Sequence, residues 1–319
     1  MAGSTSEKLY TSVQQHMLAG GLTLLDGGTG TELEALGAPM HDETWCAMAN
    51  ETAPQLVCEV HRQYIRAGAR IIATNTFSTN RNMLEPAGLG DRFNALNESA
   101  VAEALRARSL EKADDRVLVA GCMSHQVPIK RGTGDRIERA VPPIDVARAR
   151  FDELANLLTD GGVDLIMLEM MSHPELANEA IEAARATGLP IWVGFSVRAD
   201  DAGNPVSLSK PALAAADMFD AIDLDGVDVA GVMHSSVNLT GPALELLRAR
   251  YDGPLSAYPD SGFFRMPHWQ FEDIIPPADL VEQMAAWTTL GVRAIGGCCG
   301  LGVTHIEAMK HGFAERLGP

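Results

Sequence analysis

The sequence is poor in cysteine and in positive charge. Its five cysteines, an odd number spread over 319 residues, do not fit the disulfide framework of a small secreted domain and favour a reducing cytoplasm. The 42 acidic and 25 basic side chains give a net charge of −17, which disfavours a nucleic-acid or anionic-membrane surface because phosphates would be repelled. A small cationic or zwitterionic substrate fits this charge better.

Long hydrophobic runs are also missing. No apolar stretch reaches the roughly 18 residues that a membrane-spanning helix needs. The first residues are polar and lack the apolar core of a signal peptide. We therefore expect a soluble, cytoplasmic protein. The 46% of hydrophobic residues is enough for a large core in a single domain.

Eight short β-branched or leucine-rich segments recur along the chain, and each is followed by a stretch with helical apolar spacing. Eight such units in succession predict an α/β fold, a single (β/α)8 TIM barrel, rather than an open doubly wound sheet. We expect residues 1–18 to form an N-terminal extension with a helix and 19–317 to form the barrel. The predicted strands are 22–26, 70–75, 117–122, 164–169, 191–197, 228–234, 255–258 and 293–297.

The functional site of such a barrel is built at the carboxyl ends of the strands. The residues at or near these predicted ends are Asp26, Asn75, Cys122, Glu169, Ser196, His234, Asp260 and Cys298. Long loops at this end, 123–143, 198–211 and 259–277, commonly form lids or subunit contacts, and both roles are open here. The third loop carries Phe263, Phe264, His268, Trp269 and Phe271.

Two adjacent cysteines, Cys298 and Cys299, lie in a glycine-rich turn behind the last predicted strand. Neighbouring cysteines close only a strained disulfide ring, so the pair is better suited to a thiophilic metal such as zinc. His234, at the end of the sixth strand, can reach across the mouth to this pair. A lone histidine there is more often a hydrogen-bonded core residue, so spacing alone leaves both roles open.

The segment DGGTGTE at 26–32 follows the first strand and leads into a helix. Its glycines can direct backbone N–H groups at an anion. The pattern is not GxGxxG, so a dinucleotide is disfavoured, and Asp26 would repel a phosphate. A zwitterion is the favoured ligand, and a plain tight turn is the alternative.

Glu169 ends an otherwise apolar strand, where an ionised carboxylate is costly unless a cation pairs with it. That cation can belong to a substrate or to a neighbouring arginine. Trp45 and Phe77 are two of only 13 Trp and Phe residues, and their rings can hold a methylated ammonium or sulfonium at roughly 0.5–2 kcal/mol each. Core packing is the alternative for these rings.

Several uncommon motifs occur in a characteristic order along the chain. They are LDGGTGTEL at 25–33, Trp45 followed by 57–64, AGA at 67–69 leading into TNTF at 74–77, LE at 168–169, YPDSG at 258–262 and GGCCG at 296–300. In this order they resemble the homocysteine S-methyltransferase family, over about residues 20–315. The resemblance implies a (β/α)8 barrel that binds zinc through three cysteines.

By this resemblance, Cys298 and Cys299 match the family's cysteine pair, whereas His234 occupies the position of its first cysteine. Histidine is a competent zinc ligand, so the implied Zn²⁺ ligands are His234, Cys298 and Cys299, with an open fourth position. An imidazole in place of a thiolate makes the site one unit less negative, so a substrate thiolate would be bound more tightly but be less nucleophilic. The family's turn after strand three is also replaced, by residues 121–126.

The resemblance further implies methyl transfer from a sulfonium or quaternary ammonium donor to homocysteine, which gives methionine. Asp26 and Glu169 would bind the amino group of homocysteine, and backbone N–H groups around 27–29 its carboxylate. The donor would be S-methylmethionine, betaine or S-adenosylmethionine. The implied substrate-binding residues are Asp26, Gly27, Gly28, Thr29, Trp45, Asn75, Phe77 and Glu169.

Two alternatives to this function stay open. One is a divergent relative that methylates another thiol, because the ends of strands three and six have changed. The other is a barrel that binds a small amino acid without turnover. The sequence leaves both the donor and a homo-oligomeric state undecided.

Overall fold

Eight parallel strands form a single sheet in the computed structural model, which describes residues 5–129, 137, 140–264 and 271–318. The strands are β1 (Thr23–Leu24), β2 (Ile71–Ala73), β3 (Leu118–Ser124), β4 (Leu165–Met171), β5 (Ile191–Phe195), β6 (Val229–Ser236), β7 (Leu255–Asp260) and β8 (Val292–Ile295). Strands β2 to β8 pair in chain order, and β8 pairs with β1. A parallel bridge between Leu25 and Ile71 joins β1 to β2 and completes the ring. The predicted (β/α)8 barrel is confirmed.

The strands form where the sequence is continuously apolar, because helices cover one face of the sheet and the barrel interior covers the other. Every residue of β3 and β4 is buried. All eight predicted strands are present, with ends that differ by a few residues. β6 continues to Ser236, so His234 lies within the strand rather than at its end.

Helices alternate with the strands around the barrel. They are α1 (Thr5–Leu18), α2 (Thr29–Ala35), α3 (Ala49–Thr52), α4 (Pro54–Ala67), α5 (Arg81–Leu84), α6 (Phe93–Leu110), α7 (Ile144–Gly161), α8 (Pro174–Thr187), α9 (Ala215–Asp220), α10 (Val237–Arg248), α11 (Pro277–Thr288) and α12 (Val303–Gly312), with a short 3₁₀ turn at Gly90–Arg92. α4 is capped at its carboxyl end by Gly68, whose φ of 115° is a left-handed conformation that few other residues adopt. No helix of the described residues is long and apolar enough to span a membrane.

Short antiparallel hairpins occur within two of the predicted mouth loops. Val197–Ala199 pairs with Pro205–Ser207, and Phe263–Phe264 pairs with Phe271–Glu272. His268 and Trp269, which the sequence places in the third loop, lie outside the described residues.

Helix α1 packs against the amino-terminal end of the barrel. The indole Nε1 of Trp192, on β5, donates to the hydroxyl of Tyr10 at 3.0 Å, and Gln14 donates to Asp228 at 2.8 Å. Tyr10 and Trp192 are both buried in the interior cluster that also contains Leu118, on β3. The predicted N-terminal helix therefore contributes side chains to the core of the barrel.

A buried ion pair lies at the same end. The Asp164 carboxylate accepts hydrogen bonds from the Arg108 guanidinium and the Val119 N–H, both at 2.6 Å, and from the Ser6 hydroxyl at 2.5 Å. The side chains of Asp164 and Arg108 are only 3% and 17% exposed. Removing one partner of such a pair leaves a buried charge without compensation.

We predict that Arg108→Met lowers the free energy of unfolding by about 3 kcal/mol, because the Asp164 carboxylate stays buried without its cation. The matched control is Arg106→Met on the same helix, since Arg106 is 55% exposed and pairs with Glu103 at the surface. The control should cost less than about 1 kcal/mol. Urea unfolding of both variants measures the difference, and equal losses would contradict the assignment.

His61, on α4, is a buried histidine with no hydrogen-bond partner for either ring nitrogen among the described residues. Burial lowers its pKa to about 4, because the charged imidazolium is poorly solvated there. The unfolded chain therefore binds the proton more readily than the folded chain between pH 6.5 and 4. The free energy of unfolding therefore decreases at this site as the pH falls from 6.5 towards 4.

We predict that His61→Leu removes this acid sensitivity. The difference in unfolding free energy between the variant and the unaltered chain should shift by about 3 kcal/mol in favour of the variant from pH 7 to pH 4. Denaturant unfolding at each pH measures it, and comparing the two chains cancels the titration of every other group. A difference that does not change with pH would sink the prediction.

Candidate active site

A cavity of about 580 Å³ opens at the carboxyl ends of the barrel strands. Ten of the eleven residues that the sequence predicts for the site line it: Gly27, Gly28, Thr29, Trp45, Asn75, Phe77, Glu169, His234, Cys298 and Cys299. Asp26 is the exception. The end of the barrel that commonly carries the active site is therefore also where the predicted residues meet.

His234 is held in an unusual backbone conformation. Its φ is 47°, in the left-handed region, and the register between β6 and β7 shifts between Met233 and Ser236. Such bulges re-aim a side chain and are often found beside active sites. The His234 ring has Nδ1 3.1 Å from the Cys298 sulfur and Nε2 2.9 Å from Glu169 Oε2. Both ring nitrogens therefore have a partner.

The two cysteines follow β8 in a tight turn. Their sulfur atoms are 3.7 Å apart, and no disulfide is present among the described residues. Gly300 has a φ of 79°, and a Cβ there would lie 2.1 Å from the Ser261 carbonyl oxygen, so the turn requires glycine. The hydrogen bond with Cys299, together with burial, raises the pKa of the Cys298 thiol well above its ordinary value. A thiolate at this position therefore needs a nearby cation.

The donor atoms at this turn are of the kind that zinc binds, namely two thiols and one imidazole nitrogen. The sulfur–sulfur distance of 3.7 Å is close to the roughly 3.8 Å between two thiolates that share a tetrahedral zinc. The 3.1 Å between His234 Nδ1 and Cys298 is a hydrogen-bond distance, shorter than the roughly 3.6 Å of two such ligands. Accordingly, no group of three His, Cys, Asp or Glu in the described part of the chain forms a metal site as it stands. The chemical identity of these donor atoms nevertheless fits zinc.

The partner of Glu169 is His234, whose Nε2 lies 2.9 Å from Glu169 Oε2, and not an arginine as the sequence also allowed. It lies on β4 next to a second bulge, where Met170 has a φ of 59° and the register with β5 shifts between Leu168 and Met171. Burial by itself lowers the pKa of His234, but the hydrogen bond and the negative charge of Glu169 outweigh it and raise that pKa above its ordinary value.

Asp26 lies behind the cavity wall. Its carboxylate accepts hydrogen bonds from the Ala73 N–H at 2.7 Å and from the Tyr258 hydroxyl at 2.8 Å. Burial raises the pKa of Asp26 to about 7 even though these hydrogen bonds lower it. The carboxylate thus connects the end of β1 to β2 and β7, and it is 1% exposed.

The glycines after β1 are required by packing. A Cβ at Gly27 would lie 2.5 Å from the Leu301 carbonyl oxygen, and the Gly28 N–H already donates to that oxygen at 3.1 Å. Thr29 begins α2, where backbone N–H groups have no partner within the helix. The segment therefore forms the tight turn that the sequence allowed, and its residues Gly27, Gly28 and Thr29 line the cavity.

Aromatic rings form one wall of the cavity. Trp45 stacks on Phe77 with ring centroids 5.7 Å apart, and Phe77 lies 4.9 Å from the His234 ring. Trp45, like Met170 and His234, is a non-glycine residue with positive φ. Three of the five such residues in the described chain thus line the cavity, which is where backbone strain is often stored for function.

Asn75 lines the cavity and also holds this wall in place. Its amide nitrogen donates to Asn50 Oδ1 at 2.8 Å and to the Cys46 carbonyl at 3.1 Å, and its Oδ1 accepts from the Cys46 thiol at 3.1 Å. All three contacts join the loop after β2 to the segment that carries Trp45. The side-chain amide is therefore engaged in holding the loop.

Sequence reasoning missed two cations in the cavity. Arg198 and Lys210 line it from the loop after β5, and they balance the formal charges of Glu169 and Asp260 in a chain that is strongly acidic overall. Gln126, in the turn after β3, also lines the cavity and its Oε1 is buried. No motif marks these residues. The sequence predicted only that the loops carrying them lie at the mouth of the barrel.

Comparisons with known proteins agree with this geometry. The family model described as "Homocysteine S-methyltransferase" matches residues 23–313. The chain is 27% identical over 315 residues to homocysteine S-methyltransferase 4 of Zea mays, which covers 93% of this chain and 91% of the relative. It is 26% identical over 349 residues to selenocysteine Se-methyltransferase of Brassica oleracea var. italica, over 99% of this chain and 96% of the relative. The crystal structure of the homocysteine methyltransferase MmuM from Escherichia coli, metallated form, matches with a TM-score of 0.71 and 26% identity over 91% of this chain and 96% of that one.

Proposed function

The chain belongs to the homocysteine S-methyltransferase family, and on that premise we propose that it methylates the thiol of homocysteine in a zinc-dependent reaction that gives methionine. Its relatives are methyltransferases, so the chain is an enzyme of that class. The observation that carries the proposal is the convergence of His234, Cys298 and Cys299 in one cavity.

We propose that His234, Cys298 and Cys299 would hold Zn²⁺ and that the substrate sulfur would bind at the same place. When bound, zinc would lower the pKa of the substrate thiol, so that the thiolate is available at neutral pH. A metallated relative of the same fold supports a metal in this barrel. A cytoplasmic location is part of the proposal, because five cysteines spread over the chain do not fit a disulfide framework.

Glu169 and the first turn of α2 would bind the amino acid part of homocysteine. The second carboxylate oxygen of Glu169 would accept a hydrogen bond from the substrate ammonium. The backbone N–H groups at 27–29 would bind the substrate carboxylate. The Thr29 N–H is best placed for this, because the Gly28 N–H already donates to Leu301. Asp26 would act through its charge from behind the wall, because its oxygens are bonded to Ala73 and Tyr258.

The stacked rings of Trp45 and Phe77 would bind the positively charged methyl donor. An aromatic face near a sulfonium or quaternary ammonium contributes cation–π attraction, and the apolar wall excludes water from the reacting groups. Arg198 and Lys210 give the same cavity two positive charges, which suits the carboxylate that S-methylmethionine, betaine and S-adenosylmethionine all carry. Asn75 would hold the loop that carries Phe77.

A selenol acceptor is a second candidate, because the chain matches a selenocysteine Se-methyltransferase over almost its full length. The same residues would serve it, since a selenolate is also a soft nucleophile. Homocysteine, selenocysteine and other thiols should therefore be compared as acceptors in one assay.

We predict that the purified chain converts homocysteine to methionine with at least one of the three donors. Activity should be lost on chelation and return when zinc is added, because the metal makes the thiolate available. Mass spectrometry of the products measures this for each pair of donor and acceptor. Homocysteine binding that survives chelation, without methylated product from any pair, would instead support the non-catalytic amino-acid-binding alternative.

We predict that His234→Ala reduces zinc retention at least about tenfold, because the metal loses a ligand and the thiolates lose a partner. Zinc per chain is measured by elemental mass spectrometry after purification without chelators. Cys298→Ser should behave like His234→Ala, whereas Cys58→Ser, a thiol of α4 outside the cavity, should retain zinc. Unchanged zinc in His234→Ala would rule this histidine out as a ligand.

We predict that Trp45→Leu raises the KM for the methyl donor about tenfold, which corresponds to the loss of roughly 1–2 kcal/mol of cation–π attraction. The KM for homocysteine and the zinc content should change little, because Trp45 stacks on Phe77 rather than on the ligands. Trp45→Phe keeps an aromatic face and serves as the matched control. A larger change in the homocysteine KM than in the donor KM would contradict the assignment.

A further inference from the structure

Glu169, His234 and Cys298 form a continuous chain of polar contacts across the cavity floor. Glu169 Oε2 is 2.9 Å from His234 Nε2, and His234 Nδ1 is 3.1 Å from the Cys298 sulfur. A carboxylate has no proton to give, so the proton of this hydrogen bond belongs to Nε2. In the neutral imidazole, Nδ1 then carries the lone pair, and this lone pair points at the cysteine turn.

We propose that Glu169 is a positioning residue for His234, which holds the Nε2 proton and so presents Nδ1 as the nitrogen ligand beside the two thiols. The inference rests on the proposed zinc site and adds a role to the binding of the substrate amino group. Metal-binding histidines commonly donate their second N–H to a carboxylate, which orients the ring and raises its basicity. The role arises in this chain because position 234 is an imidazole.

The backbone is shaped around this contact from both sides. Glu169 precedes Met170, with its φ of 59°, and His234 has a φ of 47°, so a bulge lies at each end of the hydrogen bond. Left-handed conformations of non-glycine residues persist only where the surroundings impose them. Here Phe77 packs on the imidazole face at 4.9 Å, while Glu169 and Cys298 hold its two edges.

Burial strengthens the contact. The side chains of Glu169 and His234 are 9% and 15% exposed, and a hydrogen bond in such a low-dielectric setting is stronger than one in water. A cysteine at position 234 would bring a negative thiolate to the metal. An imidazole ligand is neutral, and here the negative charge lies on the Glu169 carboxylate that is hydrogen-bonded to it. Loss of that carboxylate should therefore affect the metal before any substrate is present.

A pair of backgrounds tests the proposal. In the unaltered background, Glu169→Ala should lower zinc affinity about 10- to 100-fold, measured without substrate by competition with a chromogenic chelator. In a His234→Cys background there is no imidazole to orient, so Glu169→Ala should change zinc affinity less than about twofold. Backbone strain from cysteine at this left-handed position is present in both members of the second pair and cancels.

A spectroscopic readout accompanies the affinities. With Co²⁺ in place of zinc, Glu169→Ala should shift the visible ligand-field bands in the histidine background and leave them unchanged in the cysteine background. Glu169→Gln still accepts the Nε2–H hydrogen bond through its amide oxygen, so its zinc affinity should lie between those of the unaltered chain and Glu169→Ala. Thermal unfolding of each apo-protein identifies any variant that has lost its fold, and Glu169→Gln then replaces it in both backgrounds.

Two results would overturn the proposal. Equal losses of zinc affinity in the two backgrounds would mean that Glu169 supports the fold in general, and no loss in either would mean that it contacts only substrate. Failure of the proposed function looks different. An unaltered chain that binds no zinc removes the site itself, whereas zinc binding that depends on Glu169 without methyl transfer removes the activity and leaves the positioning role in place.

Discussion

The hydrogen bond between Glu169 and His234 is the contact on which the arrangement of the cavity depends. It spans from β4 to β6 over the intervening strand, and both ends lie at register shifts of the barrel. Phe77 packs on the His234 ring and Trp45 packs on Phe77, so the aromatic wall is built outward from the same imidazole. An isolated carboxylate in this apolar strand would be costly, and the imidazole compensates it.

A second set of buried hydrogen bonds supports the wall. Asn75 connects the loop after β2 to Cys46 and Asn50, and Asp26 connects the end of β1 to Tyr258 and Ala73. Each of these side chains bonds to groups on other elements, which restrains the loops at the mouth of the barrel. The cavity is therefore held by side chains as well as by the strands that carry it.

The fold and much of the site could be predicted because parallel strands have a strong apolar signature and the barrel brings their carboxyl ends together. That reasoning placed Glu169, His234 and the cysteine pair at one mouth. It could not show that Glu169 pairs with His234, because the pairing depends on bulges that no local pattern encodes. The position of Asp26 behind the wall likewise follows from its contact with Tyr258, which is distant in sequence.

The left-handed backbone at position 234 also limits how this site can evolve. Asparagine, aspartate, histidine and glycine tolerate a positive φ best, whereas β-branched residues are strongly disfavoured. Of those four, histidine alone offers a neutral nitrogen ligand for zinc. Several single substitutions at position 234 would therefore remove the zinc ligand. Few residues that suit the left-handed backbone there could take the place of histidine as a ligand.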